Sequence, residues 1–291
     1  MKYSRFSLHQ YLKKSLVLFL SFALATCLVI PTNAYVLPGP YILELMTQNL
    51  GKAKSLLVSQ TLVIHDESPQ KTGVELSETL RYIFPETFRS DTLSENVYRI
   101  HVLSKGKIVT VIDGKIADES DNRYDRYKDI LLFKPREMLQ DKLSLLGVDV
   151  TVSSLGRFQG KPAYVLGAQY PDETTPQVWL DKDTFRPFRW IMANNAGGSQ
   201  DNRIEVRYFE WNKVNRAWYP MRIEFFMDGI LVRKIHVQNL EVNPSFSKEL
   251  FDINHLKSLY PQIAPAEQEQ ENKQDLNEVQ KTIEDFKKLY E

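Results

Sequence analysis

The sequence predicts an α+β fold: an unclosed antiparallel β-barrel of about eleven strands, curled around covering helices. Three observations carry this. Between residues 55 and 242 most of the chain reads as short extended runs, several with apolar groups at every second position. The connections are short and turn-like, as at Lys105-Gly106, Asp113-Gly114 and Asp228-Gly229, which makes neighbouring strands antiparallel. The helical stretches are too few for an alternating βαβ architecture. An antiparallel sheet of that size curls instead of staying flat, so the helices are expected to cover or enter the mouth of a half-closed barrel.

The elements follow in order. Ile42, Leu45, Met46 and Leu50 recur at helical spacing in 41–54, directly after Pro38-Gly39-Pro40. Extended runs are expected at 55–65, 74–84, 96–104 and 107–113. A helical interruption, 123–146, comes next as "DRYKDILLF" and "PREMLQDKLSLLG" on either side of Lys134, with Pro135 suited to a first turn and Gly147 to a stop. Strands resume at 148–157, 162–170, 177–181, 186–194, 202–211, 217–227 and 230–242. Inward parity falls on Val148, Val150 and Val152; on Tyr164, Leu166 and Ala168; on Phe188, Trp190 and Met192; and on Ile204, Val206 and Tyr208. Tyr219, Met221, Ile223, Phe225 and Met227 give the 217–227 strand a soft aromatic-and-methionine face.

The ends of the chain differ from this. Lys2, Arg5, Lys13 and Lys14, without acids, precede the uncharged run "SLVLFLSFALATCLVI" of 16 residues, and "PTNA" places small residues at a cleavage site after Ala34. Residues 1–34 therefore read as a secretory signal peptide; the run is short for an anchor helix. A lipid-anchored form through Cys27 is disfavoured, because Thr26 precedes the cysteine and apolar residues continue past it. The remainder, with no cysteine, relies on its core and not on disulfides. It carries 33 Lys+Arg against 37 Asp+Glu, net −4, which argues against nucleic acid as a partner. Residues 35–260 form the half-barrel domain. Residues 261–275, rich in Gln and Glu, read as a flexible linker. Residues 276–291 form a C-terminal amphipathic helix with Leu276, Val279, Ile283, Phe286 and Tyr290 on one stripe.

Catalytic chemistry is not visible. His65, His101, His236 and His255 have no metal-ligand spacing and read as ordinary surface or strand residues. There is no nucleophile elbow, phosphate loop or dinucleotide fingerprint. "DKDT" at 181–184 lacks the rest of a calcium loop and reads as a hairpin turn, and "DESD" at 118–121 reads as a solvated loop. No catalytic residue, metal or cofactor is assigned, and the chain is read as a non-enzyme.

Several segments resemble one family, the LolA/LolB-type periplasmic lipoprotein carriers with their LppX-like and RseB-like relatives. "ETLRYIFPETFR" resembles the early strand that ends in a proline followed by an aromatic. "PQVWLDKDTFRPFRW" resembles the family's strand, polar turn and "P-x-R" return. "YPMRIEF" and "IHVQNLEVNPSFSKELFDI" resemble its closing strands and last short helix. The match covers Tyr41 to Ile253. The resemblance implies an unclosed eleven-stranded barrel with a helical lid and a hydrophobic cavity for acyl chains. The carrier members place an arginine, which helps hold the lid, just before the early-strand proline; this chain has Phe84 there.

The expected function is a periplasmic carrier that holds the acyl chains of a lipid or lipoprotein for transfer toward the outer membrane, with a membrane or receptor protein as partner. The expected cavity lining is Tyr82, Phe84, Phe188, Trp190, Tyr208, Met221, Ile223 and Phe225. The alternative is a non-enzymatic envelope sensor or interaction protein on the same fold, with contacts through the C-terminal helix.

Overall fold

The computed structural model describes residues 36–65, 73–94, 97–118, 123–192 and 203–261. The expected signal peptide, the "DESD" loop beyond Asp118 and the C-terminal linker and helix lie outside them. The chain opens with α1 (Gly39–Asn49), then runs through β1 (Ser55–Ile64), β2 (Val74–Ile83), β3 (Thr87–Leu93), β4 (Tyr98–Ser104), β5 (Lys107–Ile112) and β6 (Lys115–Asp118). A crossover follows, made of a 3-10 helix (Arg123–Lys128), α2 (Asp129–Leu132) and α3 (Arg136–Leu145). The second half comprises β7 (Ser153–Phe158), β8 (Lys161–Leu166), β9 (Gln177–Asp181), β10 (Pro187–Met192), β11 (Ile204–Val214), β12 (Ala217–Met227) and β13 (Ile230–Val242). A 3-10 turn (Lys248–Phe251) and α4 (Ile253–Leu259) close the described chain.

Among the described residues all strands belong to one 13-stranded antiparallel sheet in the order β6-β5-β4-β3-β2-β1-β13-β12-β11-β10-β9-β8-β7. The chain thus starts at the centre, zigzags to one edge at β6, crosses over, and zigzags back from the other edge at β7. The pairing of β1 with β13, from Leu56↔Val242 to Ile64↔Arg233, is the seam between the two halves. β6 and β7 do not pair, so the sheet is unclosed as expected. It has thirteen strands where eleven were expected. β3 was hidden because neither of its faces is apolar: Ser90 and Thr92 lie on one side, Arg89 and Asp91 on the other. The expected strand from 148 begins only at Ser153. Asp149 accepts hydrogen bonds from the Thr151 amide and hydroxyl, and this turn holds 149–151 out of the ladder while Val148 and Val150 stay buried.

The inner face of the sheet and the helices share one core. Ile42, Leu43, Met46 and Leu50 of α1, and Tyr124, Tyr127, Ile130, Leu131, Leu132, Leu139 and Leu143 of the crossover, pack with Val58, Leu80, Tyr82, Trp190, Val206, Tyr208, Ile223 and Phe225 from the strands. On the outer face α4 covers part of the first half: Ile253 and Leu256 pack on Ile100, Val102, Val109, Val111 and Ile116. Asp252 caps α4 by accepting from the amides of Asn254 and His255. The outer face of the second half is closed by arginines lying over rings. Arg189 sits 4.2 Å from the centre of Phe158, Arg207 3.9 Å from Phe226, Arg222 4.1 Å from Phe209 and Arg186 3.4 Å from Trp218. Arg189 also donates to Glu173 and Glu205 at 2.7 Å.

Gly51 ties α1 to the tip of the β11–β12 hairpin. Its φ is +86°, and a Cβ there would come within 1.9 Å of the Arg216 carbonyl oxygen. Around it the Lys52 amide donates to the Arg216 carbonyl and the Trp218 amide to the Leu50 carbonyl, both at 3.0 Å. Gly51→Ala is therefore expected to cost about 3 kcal/mol, from left-handed backbone plus a backbone clash. Chemical denaturation checks this, and a loss below about 1 kcal/mol would mean the junction is looser than its geometry.

Candidate functional site

The eight side chains expected to line a cavity separate into three groups. Tyr82, Trp190, Tyr208, Ile223 and Phe225 are all in the inner core, each at most 1 % exposed. Phe84 packs against that core from its margin, and Met221 is half-buried. Phe188 is displaced by a β-bulge: the β10–β9 register slips between Pro187 and Arg189, and Phe188 joins Phe158 and Trp179 in a separate cluster on the outer face. The bulge corrects the expected parity of Phe188 with Trp190.

The inner residues meet the crossover, not open space. Tyr208 donates its hydroxyl to the Tyr127 carbonyl at 2.9 Å. The Phe225 ring meets Tyr127 and Tyr124 edge-on at 5.6 and 6.0 Å. Tyr82 shares a hydrogen bond with Tyr219 at 3.0 Å and stacks toward Phe84. Two cavities stand out among the described residues. One of about 400 Å³ is lined by Phe158, Phe188, Arg207 and Tyr208 among others, so two of the eight expected residues border it; the other, of about 680 Å³, lies between the β4–β5 turn and the start of α4.

The crossover is held in three ways. Apolar packing is the first. A lysine latch at the joint between α2 and α3 is the second: Lys134 places its ammonium 3.9 Å from the centre of the Phe84 ring and donates to the Gly51 carbonyl at 3.3 Å. The cation comes from the crossover and the ring from the segment that follows β2. The third is an ionic patch that sequence reading missed. Asp125 of the 3-10 helix receives a hydrogen bond of 2.6 Å from Arg99 of β4, and His101 Nε2 lies 3.8 Å from the same carboxylate oxygen. Lys128 donates back to the Asp125 carbonyl at 2.7 Å, and His101 Nδ1 bonds Thr110 at 2.9 Å. Arg99, His101, Asp125 and Lys128 are all buried. His101 is thus an interior residue. Beside them Glu78 of β2 accepts from Gln60 at 2.6 Å, from Ser90, and from Thr92 at 3.3 Å.

The electrostatics of the patch are divided. Burial raises the Glu78 pKa, only partly offset by the hydrogen bonds from Ser90 and Gln60. Burial also opposes the charge on Asp125, but Arg99, His101 and Lys128 outweigh it and hold that carboxyl well below the usual range. The "DKDT" segment is the hairpin turn expected: Asp181 accepts from the Thr184 amide and hydroxyl, both at 2.8 Å.

These features define a class of fold, an open antiparallel barrel with a helical crossover in its mouth. The LolA superfamily protein NE2245 from Nitrosomonas europaea shares it, with a TM-score of 0.54 at 11 % identity over 76 % of this chain and 100 % of that one. An outer membrane lipoprotein-sorting protein domain from Vibrio parahaemolyticus gives 0.53 at 11 % identity, covering 75 % of this chain and 97 % of that one. A DUF1329 family protein from Desulfovibrio piger gives 0.50 at 12 % identity, over 75 % and 98 %. No protein-family model and no curated protein matches the sequence. The fold is therefore LolA-like, as the segment order implied.

Two predictions follow from the holding contacts. Arg99→Leu leaves Asp125 buried without its main partner and is expected to cost about 3–5 kcal/mol by denaturant titration. The Asp125 carboxyl is depressed in the folded chain, so its contribution is present above the ordinary carboxylate range and is lost as pH falls below about 4; Arg99→Leu should move the acid-unfolding midpoint upward. Burial brings the Lys134 pKa down from 10.5 to about 8. Between those values the unfolded chain binds more protons, so stability should rise as pH climbs from about 8 to about 10.5. Lys134→Met should abolish that rise, measured by denaturation at both ends of the window.

Proposed function

We propose that this protein is a non-enzymatic periplasmic carrier, exported by a leader cleaved after Ala34, that holds acyl chains of a lipid or lipoprotein against the inner face of its sheet. The observation that carries the reading is the cover of that face. Its most apolar part, around Tyr82, Trp190, Tyr208, Ile223 and Phe225, is covered by a crossover that runs between two unpaired edges, not by a second sheet. On this reading the packed arrangement is a closed form, and Tyr124, Tyr127, Ile130 and Leu132, which share the core with that face, give way to an acyl chain. Exchange is then apolar for apolar. A chain of about fifteen methylenes gains on the order of 12 kcal/mol on leaving water, enough to compete with a few lid side chains. A membrane or receptor protein reverses the exchange. The LolA-like and lipoprotein-sorting structures that share the fold support this reading.

Native mass spectrometry of residues 35–291, purified from the periplasm without detergent and then extracted with organic solvent, tests it. A one-to-one adduct that yields acylated material is expected. A clean apo mass, with no uptake of a fluorescent fatty acid by either the wild type or the Lys134→Met variant, would overturn the carrier reading in favour of an interaction protein.

A further inference from the structure

Surface charge is sorted along the strands. In an antiparallel sheet successive turns alternate between two ends. One end of this sheet holds the turns β2–β3, β4–β5, β7–β8, β9–β10 and β11–β12, with residues 51–54 before β1 and the end of β13. That end is basic. Lys52 and Lys54 precede β1, Lys105 and Lys107 belong to the β4–β5 turn and its flank, and Lys213 and Arg216 to that of β11–β12; all are exposed. Lys182 and Arg186 stand in the β9–β10 turn, and Lys161 opens β8. The acids at this end are Glu86, Asp181, Asp183, Glu241 and, beside Lys248, Glu249. Among the described residues only Lys161 of these cations forms an ion pair, with Asp181 at 2.9 Å. The opposite end is the reverse: its described turns carry Asp113, Asp172, Glu173 and Asp228, with Lys115 and Arg203 beside them. Leu37 and Pro261 are fastened at that opposite end, where the Ser153 hydroxyl donates to the Leu37 carbonyl at 2.8 Å and the Ile116 amide to the Pro261 carbonyl at 2.9 Å. Neither lies across the basic end.

Residues 35–291 are net −4, so attraction to an anionic surface belongs to this one end and not to the chain as a whole. Successive turns along the rim are two strands, about 10 Å, apart. That is close to one Debye length at physiological salt, so their charges act together on a surface laid against the rim and fade beyond it. The cations are mostly lysines spread from turn to turn, which suits many phosphates free to shift sideways better than one rigid anion that needs a planar fork. The larger cavity, of about 680 Å³, lies at the same end. Lys105, Lys107 and Lys248 border it, with Ile83, Phe251 and Ile253 among its apolar walls. Its one acid, Asp252, is occupied in capping α4.

We infer that this end of the sheet is a docking surface for a bilayer of anionic phospholipids, with the lysine-bordered cavity seating a head group. Lys134, through its contacts with Phe84 and the Gly51 carbonyl, lies at the same end, so docking brings the joint of the crossover to the bilayer. A role for that contact in lipid exchange rests on the carrier reading; the docking itself does not.

Vesicle co-sedimentation of residues 35–291 tests it, with phosphatidylcholine vesicles made with and without phosphatidylglycerol, at low and high salt. Two variants neutralise separate turns of the rim, K105Q/K107Q and K213Q/R216Q. A third, K115Q/K234Q, removes the same charge away from it. The wild type is expected to bind the phosphatidylglycerol vesicles, to release them at high salt and to ignore the neutral ones. Each rim variant should bind about tenfold more weakly, and the third variant within about threefold of the wild type. Equal weakening by all three variants, or none by the rim pairs, would overturn the assignment of the surface. Equal binding to neutral vesicles would overturn its electrostatic basis. No binding to either vesicle would overturn the bilayer as occupant and leave the face to an acidic protein segment. Uptake of a fluorescent fatty acid is measured on the same proteins. A wild type that docks without uptake removes the carrier reading and leaves the docking surface standing, whereas uptake without docking does the opposite. Circular dichroism on the variants confirms that folded proteins are compared.

Discussion

The crossover between β6 and β7 is the constraint on which the structure turns. The seam of β1 with β13 holds two meanders together, but their outer edges never meet. The chain must travel from one edge to the other, and the mouth of the half-barrel is the path it takes. Its side chains are then forced to bury themselves on the inner face. Cover and core are consequently the same object: Tyr127 belongs to the crossover by topology and to the core by packing. The short helices of the crossover carry few intrahelical bonds each and draw their stability from the wall they cover.

The interior is correspondingly of two kinds. Toward β9–β13 it is hydrocarbon and aromatic; toward β2–β5 it holds a guanidinium, an imidazole, carboxylates and hydroxyls. Such a division is costly for a plain core, since charged groups there must be satisfied in a low-dielectric setting. The latch follows the same economy. Among the described residues Lys134 meets Phe84 and a backbone carbonyl and no carboxylate, and burial weakens its hold on its proton.

Much of this was legible in the residues. Period-two alternation found β8 to β13 and put Trp190, Tyr208, Ile223 and Phe225 on one face, because those strands have one plainly apolar side. Pro135 and Gly147 framed α3. The failures have physical causes. β3 offers no apolar parity, since after Phe88 its inner positions, Ser90 and Thr92, belong to the polar patch. In β4 the apolar parity falls on Ile100 and Val102, which face α4, so His101 reads only as an ordinary surface or strand residue and nothing singles out Arg99, although both are buried. Phe188 kept the right spacing, but a bulge changed its side. Pairing between residues far apart in sequence, such as Arg99 with Asp125, leaves no local signal at all.

The arginines laid over rings on the outer face carry a consequence for how the surface can change. Arg189, Arg207, Arg222 and Arg186 cover Phe158, Phe226, Phe209 and Trp218 in a layer one side chain deep. A flat guanidinium can roof an aromatic ring and still bond carboxylates at its edge; an ammonium on a flexible stem cannot do both. These positions resemble surface charges by composition but behave as a thin second core. Variation across this face should therefore follow the rules of buried packing, with lysine no better tolerated than any other poorly fitting side chain.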